Sequence, residues 1–186
     1  MAYGFTFKRT YIPVIALLIA CVALLAFLTY QRLSPSGFLS DLQNDLQNID
    51  PLPGQGYTDL SGNPVDLRTY KGKVLVINSW ASWMPFSQTE LPLLNQIKER
   101  YGDSVTLLAI NRMEDRALIQ TYLGTLPSMP SAVFLADPAD TFYRAVGGYA
   151  MPETVIYAAD GTIAAHIRGV FVEAELVATL DALVGE

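Results

Sequence analysis

The sequence is short of the side chains that carry sulfur and imidazole chemistry. Its 186 residues include one cysteine, Cys21, and one histidine, His166. A disulfide needs two cysteines, so none can form within a single chain. A structural zinc site needs about four Cys or His ligands, which this chain does not contain. We therefore expect no metal site built from cysteine and histidine.

The sequence also lacks a glycine-rich phosphate loop of either common type and a clustered stripe of basic residues. Its 12 Lys and Arg residues are outnumbered by 18 Asp and Glu residues, which gives a formal net charge of −6 at pH 7. Nucleotide binding and nucleic-acid binding are therefore disfavoured, and no cofactor is predicted.

One long apolar run is present near the start of the chain. Residues 10–30 read TYIPVIALLIACVALLAFLTY, contain no charged residue and are long enough to cross a bilayer as a helix. Two basic residues precede this run and Arg32 follows it, which by the positive-inside rule predicts a cytoplasmic N-terminus. We expect a short cytoplasmic segment (1–9), a single transmembrane anchor (10–31) and a remainder on the periplasmic side of the cytoplasmic membrane.

Two other interpretations of this run remain open. A cleaved signal peptide has a shorter apolar region ending in small residues, whereas this run continues past Ala20. Residues 18–21, LIAC, resemble a bacterial lipobox, in which case Cys21 would carry a lipid. Residues 22–28 stay apolar where mature lipoproteins usually become polar, so the pattern favours an uncleaved anchor.

The rest of the chain divides into a tether and a domain. Residues 32–56 contain three prolines and many polar residues, as is typical of a solvated linker. Leu39, Leu42 and Leu46 fall at helical spacing, so a short helix is the alternative. Residues 57–186 are long enough for one core, and their alternating strand and helix patterns predict an α/β domain.

Local patterns predict the elements of this domain. Strands alternate with helices, and Asp160-Gly161 is a strong hairpin signal. We expect strands at 73–79, 105–111 and 132–136, helices at 87–101, 114–123, 142–146 and 172–184, and hairpins at 59–67 and 154–168.

Two separated motifs resemble one known family. Residues 71–83, KGKVLVINSWASW, continue into MPFS (84–87) and ELP (90–92). They resemble the TlpA/ResA/CcmG-like, membrane-anchored thioredoxin-like (redoxin) proteins. The corresponding pattern in that family is GK-V-x-x-NFWA-x-WC-x-x-C-x-x-E-x-P. MPETVIY at 151–157 resembles the family's cis-proline strand. The resemblance implies a thioredoxin-like fold, with a central mixed sheet flanked by helices, and thiol–disulfide oxidoreductase activity.

The chain departs from this family at the reactive positions. Met84 and Ser87 occupy the places of the two family cysteines, and Cys21 lies in the apolar run. Dithiol exchange needs one thiolate to attack and a second thiol to resolve the mixed disulfide. We therefore assign no catalytic residue and favour a non-enzymatic function. Ser87 is expected to accept backbone N–H bonds at the start of a helix.

Two other kinds of chemistry are conceivable at these positions. A Ser87 nucleophile would need a base, but His166 is expected to be an ordinary packed or solvated residue of the hairpin. The resemblance places Met84 and Met151 opposite each other, and thioethers bind Cu(I), so copper or haem handling is an alternative. The favoured interpretation is that both methionines fill a recognition patch, with no metal bound.

The features that need no thiol lead to the functional prediction. Trp80 is expected in the core, and six residues are expected to form an apolar binding patch: Trp83, Met84, Pro85, Phe86, Met151 and Pro152. In the family, the chain at the cis-proline pairs with an extended substrate peptide. We predict a protein-binding or assembly module with a polypeptide partner at the membrane, such as a membrane protein complex. The alternative is an oxidoreductase-family protein in cytochrome c maturation.

Overall fold

The computed structural model describes Val22, Leu24, Leu25, Tyr30 and residues 52–185. The first four have helical backbone. The remainder of the predicted anchor, residues 1–9 and most of the predicted linker lie outside the described residues. Among the residues described, no helix combines the length and apolar character needed to span a bilayer. The chain divides into two compact units, Met1–Asn48 and Ile49–Glu186, and the strands that the structure describes belong to the second.

Within residues 52–185 the chain alternates strands and helices, with two short 3-10 helices at Leu67–Tyr70 and Gly102–Ser104. The strands are β1 (Tyr57–Asp59), β2 (Pro64–Val65), β3 (Val74–Trp80), β4 (Val105–Arg112), β5 (Ala132–Asp137), β6 (Glu153–Tyr157) and β7 (Ile163–Arg168). The helices are α1 (Ser87–Tyr101), α2 (Arg116–Leu123), α3 (Thr141–Ala145) and α4 (Glu173–Val184).

The strands form one mixed sheet in the order β2-β1-β5-β4-β3-β6-β7. Strands β3, β4 and β5 are parallel, whereas β6 is antiparallel to β3 and β7 is antiparallel to β6. The C-terminal ends of β3, β4, β5 and β7 therefore meet the N-terminal end of β6 at one edge of the sheet. This arrangement confirms the predicted thioredoxin-like fold, with a central mixed sheet flanked by helices.

The core lies on both faces of the sheet. Every residue of β3 is buried, as its continuous apolar pattern predicts for a central strand. One face packs against α1 and α4 through Leu94, Ile97 and Leu176. Trp80 is buried, and its ring packs against Tyr122 and Phe134 with centroid distances of 5.6 and 6.2 Å.

The structure also differs from the predicted boundaries. Leu52 is 1% exposed and belongs to a core cluster with Leu67 and Phe142, so the packed domain begins before the predicted start at Tyr57. The predicted hairpin at 59–67 is shifted by two residues: its strands, β1 and β2, span 57–65, and Leu67 already begins a 3-10 helix. Helix α2 begins at Arg116 rather than 114, because the Asp115 side chain caps it by accepting from Leu118 N–H.

Candidate functional site

The two family-like motifs meet at the sheet edge described above. Residues 81–86 form the loop after β3, and α1 begins at Ser87. The antiparallel ladder between β3 and β6 pairs Ser79 with Glu153, which brings this loop towards Met151–Pro152. The Met151–Pro152 peptide bond is cis, as the resemblance implies. We call this place the candidate site.

The two positions that carry cysteine in the family are both buried. Met84 is 4% exposed, and Ser87 is also buried. The Ser87 hydroxyl donates a hydrogen bond to the Ala81 carbonyl at 2.8 Å. The expectation that Ser87 would accept backbone N–H bonds is wrong, because Phe86 is the N-cap and Ser87 is already helical. Ser87 therefore braces the loop and presents no free nucleophile at the surface.

The predicted binding patch is partly buried. Trp83 is 66% exposed, Phe86 is 47% exposed and Pro85 is exposed, whereas Met151 is half-buried. Met84 and Pro152 are buried, so they support the patch from beneath. The ladder between β3 and β6 brings the segments carrying Met84 and Met151 to the same edge.

Three further apolar residues at this edge were missed by the sequence reasoning. Tyr149 is 77% exposed, and Val170 and Val172 are also exposed. Gly169 N–H donates to the Pro152 carbonyl at 2.8 Å, which places Val170 beside the cis-proline segment. The run of three apolar residues at 170–172, between the last strand and the last helix, was the available signal. The exposed side chains here, together with the half-buried Met151, form what we call the apolar surface: Trp83, Pro85, Phe86, Tyr149, Met151, Val170 and Val172.

Glu90 is a buried carboxyl directly below the apolar surface. It is buried in the first turn of α1, and its Oε1 accepts from Phe171 N–H at 3.3 Å. Burial raises the pKa of the Glu90 carboxyl to about 7, although hydrogen bonds from Phe171 and Asn78 lower it. Asn78 also donates to Thr154 Oγ1 at 3.0 Å. A titratable carboxyl thus lies beneath the loop that carries Val170 and Val172.

A second buried carboxylate follows the cis-proline. Glu153 is fully buried, and its Oε1 lies 2.8 Å from His166 Nε2 and 3.3 Å from Arg168 Nε. His166 is therefore held by Glu153 on the neighbouring strand, as expected of a packed histidine. The Arg168 guanidinium lies over the Tyr149 ring, 4.9 Å from its centroid.

Within the part of the chain that the structure describes, no cluster of three or more His, Cys, Asp or Glu residues is arranged to hold a metal ion. Two thioethers, Met84 and Met151, are the copper ligands that the sequence suggests, and this alternative stays a prediction.

Comparisons with known proteins relate this chain to redoxins and thiol–disulfide oxidoreductases. The family model described as Redoxin matches residues 47–183. The thiol-disulfide oxidoreductase ResA of Bacillus cereus (strain ZK / E33L) is 26% identical over 167 residues, covering 87% of this chain and 89% of the relative. The thiol:disulfide interchange protein DsbE of Pseudomonas fluorescens biotype C is 31% identical over 120 residues, covering 62% and 65%.

A solved structure of a disulfide oxidoreductase is also similar to this chain. The secreted Mycobacterium tuberculosis disulfide oxidoreductase homologous to E. coli DsbE is 26% identical, with a TM-score of 0.62, and the match covers 72% of this chain and 98% of the other. These matches confirm the resemblance found in the two motifs. The chain belongs to the redoxin family, and thiol–disulfide oxidoreductases of the ResA and DsbE types are among its relatives.

Proposed function

We propose that this chain is a redoxin-family protein that binds a polypeptide partner at the membrane without exchanging disulfides. The observation that carries the proposal is the replacement of both reactive cysteines by Met84 and Ser87, which are buried. A thioether has no proton to lose, and the Ser87 hydroxyl is used by the Ala81 carbonyl. The remaining cysteine, Cys21, belongs to the apolar run before the domain.

The apolar surface supports a binding function. Scattered exposed apolar side chains are ordinary, but several of them gathered at one edge of the sheet are typical of an interaction site. Aromatic residues such as Trp83, Phe86 and Tyr149 are enriched where protein surfaces bind each other. An extended peptide can pair with backbone at the cis-proline segment by strand addition, which requires no thiol.

The membrane location is part of this proposal. The uncharged run at residues 10–30 acts as the anchor, and the domain lies on the periplasmic side. A thiol-reactive, membrane-impermeant reagent applied to intact cells tests the orientation with the Ser104→Cys variant on a cysteine-free Cys21→Ala background. Labelling of intact cells supports the orientation, and labelling only after lysis contradicts it.

Redox inactivity is tested on the purified full chain in mild detergent. We expect no catalysis of insulin disulfide reduction by the native chain, whereas the Met84→Cys/Ser87→Cys variant should gain measurable activity because it restores the dithiol. Activity of the native chain above the uncatalysed rate would contradict the proposal.

Partner binding is tested by affinity purification of the full chain followed by mass spectrometry. We expect a stoichiometric partner that is lost with Phe86→Ala and Met151→Ala. Ile163→Ala is the matched control, since Ile163 is exposed at the start of β7, at the opposite edge of the sheet. Capture that survives the Phe86 and Met151 variants would contradict the proposal, and copper retained by the purified chain would favour the copper alternative.

A further inference from the structure

A fixed arginine borders the apolar surface. Arg168 is the last residue of β7, and its side chain is 32% exposed. Its guanidinium lies over the ring of Tyr149, which is itself one of the most exposed aromatic side chains described. A guanidinium placed over an aromatic ring within about 6 Å of its centroid is attracted by the negative face of the ring.

Arg168 also contacts the buried carboxylate of Glu153. Its Nε lies 3.3 Å from Oε1 of the buried Glu153, which is long for a charge-assisted hydrogen bond. That oxygen is already 2.8 Å from His166 Nε2. Among residues 52–185, no acceptor binds the two terminal nitrogens, Nη1 and Nη2. Glu153 therefore orients the guanidinium and leaves its terminal donors available.

The position of Arg168 relates it to the proposed binding site. The residue after it, Gly169, donates to the Pro152 carbonyl, and Val170 continues the apolar surface. A polypeptide that covers Val170 and Met151 would bring its next side chains within reach of the guanidinium. Arginine binds a carboxylate with two parallel hydrogen bonds, a geometry that neutral side chains do not offer.

We propose that Arg168, held over the ring of Tyr149, is a carboxylate receptor that selects polypeptides carrying an Asp or Glu close to an apolar residue. This inference rests on the proposed function, because the apolar residue is the one that the apolar surface binds. It adds the chemical class of the partner sequence, which the apolar surface alone does not define.

A peptide library tests the selection. The probe is a random library of cysteine-free decapeptides with acetylated and amidated ends, so that every carboxylate comes from a side chain. It is presented to the full chain in mild detergent. We expect the native chain to enrich peptides with Asp or Glu within two residues of Leu, Phe or Trp, and Arg168→Gln to keep the apolar preference without the acidic one. The dissociation constant of a selected peptide should rise about tenfold in Arg168→Gln.

Two further variants refine the test. Tyr149→Phe keeps the ring and should select like the native chain. Arg168→Lys keeps the charge without the planar fork and should weaken the acidic preference, which also covers the case in which Arg168→Gln fails to fold. Identical selection by the native chain and both Arg168 variants would overturn this inference and leave the proposed function intact. Equal peptide binding by the native chain and Phe86→Ala would instead contradict the proposed function.

Discussion

Glu114 holds Ser82 by two hydrogen bonds: Oε2 accepts from the Ser82 N–H at 2.8 Å, and Oε1 accepts from the Ser82 hydroxyl at 2.5 Å. The same carboxylate accepts from Asn111 Nδ2 at 2.6 Å. The loop after β4 therefore fixes the loop after β3. Because Ser82 directly precedes Trp83, this clamp sets the position of that exposed side chain.

Removing the clamp should loosen the candidate site. In Glu114→Ala, the Ser82 N–H loses its acceptor, so we expect faster hydrogen exchange at Ser82 and a stability loss of about 1–3 kcal/mol. Hydrogen exchange followed by mass spectrometry or NMR measures the first effect, and urea denaturation measures the second. Glu114→Gln, which keeps one acceptor oxygen, should give a smaller change. Unchanged exchange at Ser82 in Glu114→Ala would show that the clamp does not fix the loop.

Glu90 should make stability depend on pH. Its carboxyl has an ordinary pKa of 4.5, and burial raises the pKa to about 7 in the folded state. Between these values the folded state binds the proton and the unfolded state releases it, so stability falls as pH rises. Below 4.5 both states are protonated and the carboxyl carries no penalty. Above about 7 both states are ionised, and the penalty, on the order of 3 kcal/mol at about 1.4 kcal/mol per pKa unit, is complete.

Glu90→Gln isolates this effect. We expect the variant to have a flatter pH dependence between 4.5 and 7 and to be more stable than the native chain at pH 8, as measured by urea denaturation across the pH range. Glu173→Gln is the control, since Glu173 is only half-buried and pairs with Arg100 near the surface. Parallel stability curves for the native chain and Glu90→Gln would mean that Glu90 titrates alike in both states.

Leu52 should contribute to stability although it lies in the predicted linker. It is 1% exposed within the core. Leu52→Ala is expected to cost about 2–5 kcal/mol, the range for large-to-small core substitutions. Leu118→Ala, at an exposed position on α2, should cost much less. A cost for Leu52→Ala as small as that of the control would place the start of the stable domain after residue 52.

The Ser87 hydroxyl should stabilise the loop after β3 by its hydrogen bond to Ala81. Ser87→Ala removes the bond to the Ala81 carbonyl, and we expect a stability loss of about 0.5–1.5 kcal/mol in thermal or urea denaturation. The single variant Ser87→Cys should stay inactive towards insulin, because one thiol cannot complete dithiol exchange. Disulfide reduction by Ser87→Cys would contradict this account of the site.

The sheet and most element positions could be predicted because local patterns and tertiary packing agree. Helix α1 spans the predicted residues, and β3 and β4 match within one residue at each end. The main differences come from contacts between distant parts of the chain. Leu52 is drawn into the core by Leu67 and Phe142, and no local pattern in a proline-rich segment indicates that.

The candidate site was predictable in sequence position but not in exposure. The resemblance located Met84, Ser87 and Pro152, whereas burial of Met84 depends on how the loop after β3 folds back. Glu114 could not be identified, because its role depends on Ser82, a residue 32 positions away in the chain. Arg168 and Tyr149 likewise meet only once β7 has paired with β6.

The two outermost strands of the sheet differ in how readily they can pair with another chain. One is β2, a two-residue strand that begins with Pro64, which has no N–H to donate. The other is β7, a six-residue strand that has no partner strand on its outer side among the described residues. An open edge strand is the usual template for intermolecular pairing. Aggregation of concentrated or partly unfolded molecules is therefore expected to begin at β7, and a charge introduced at the exposed Ile163 or Ala164 is the substitution that should suppress it.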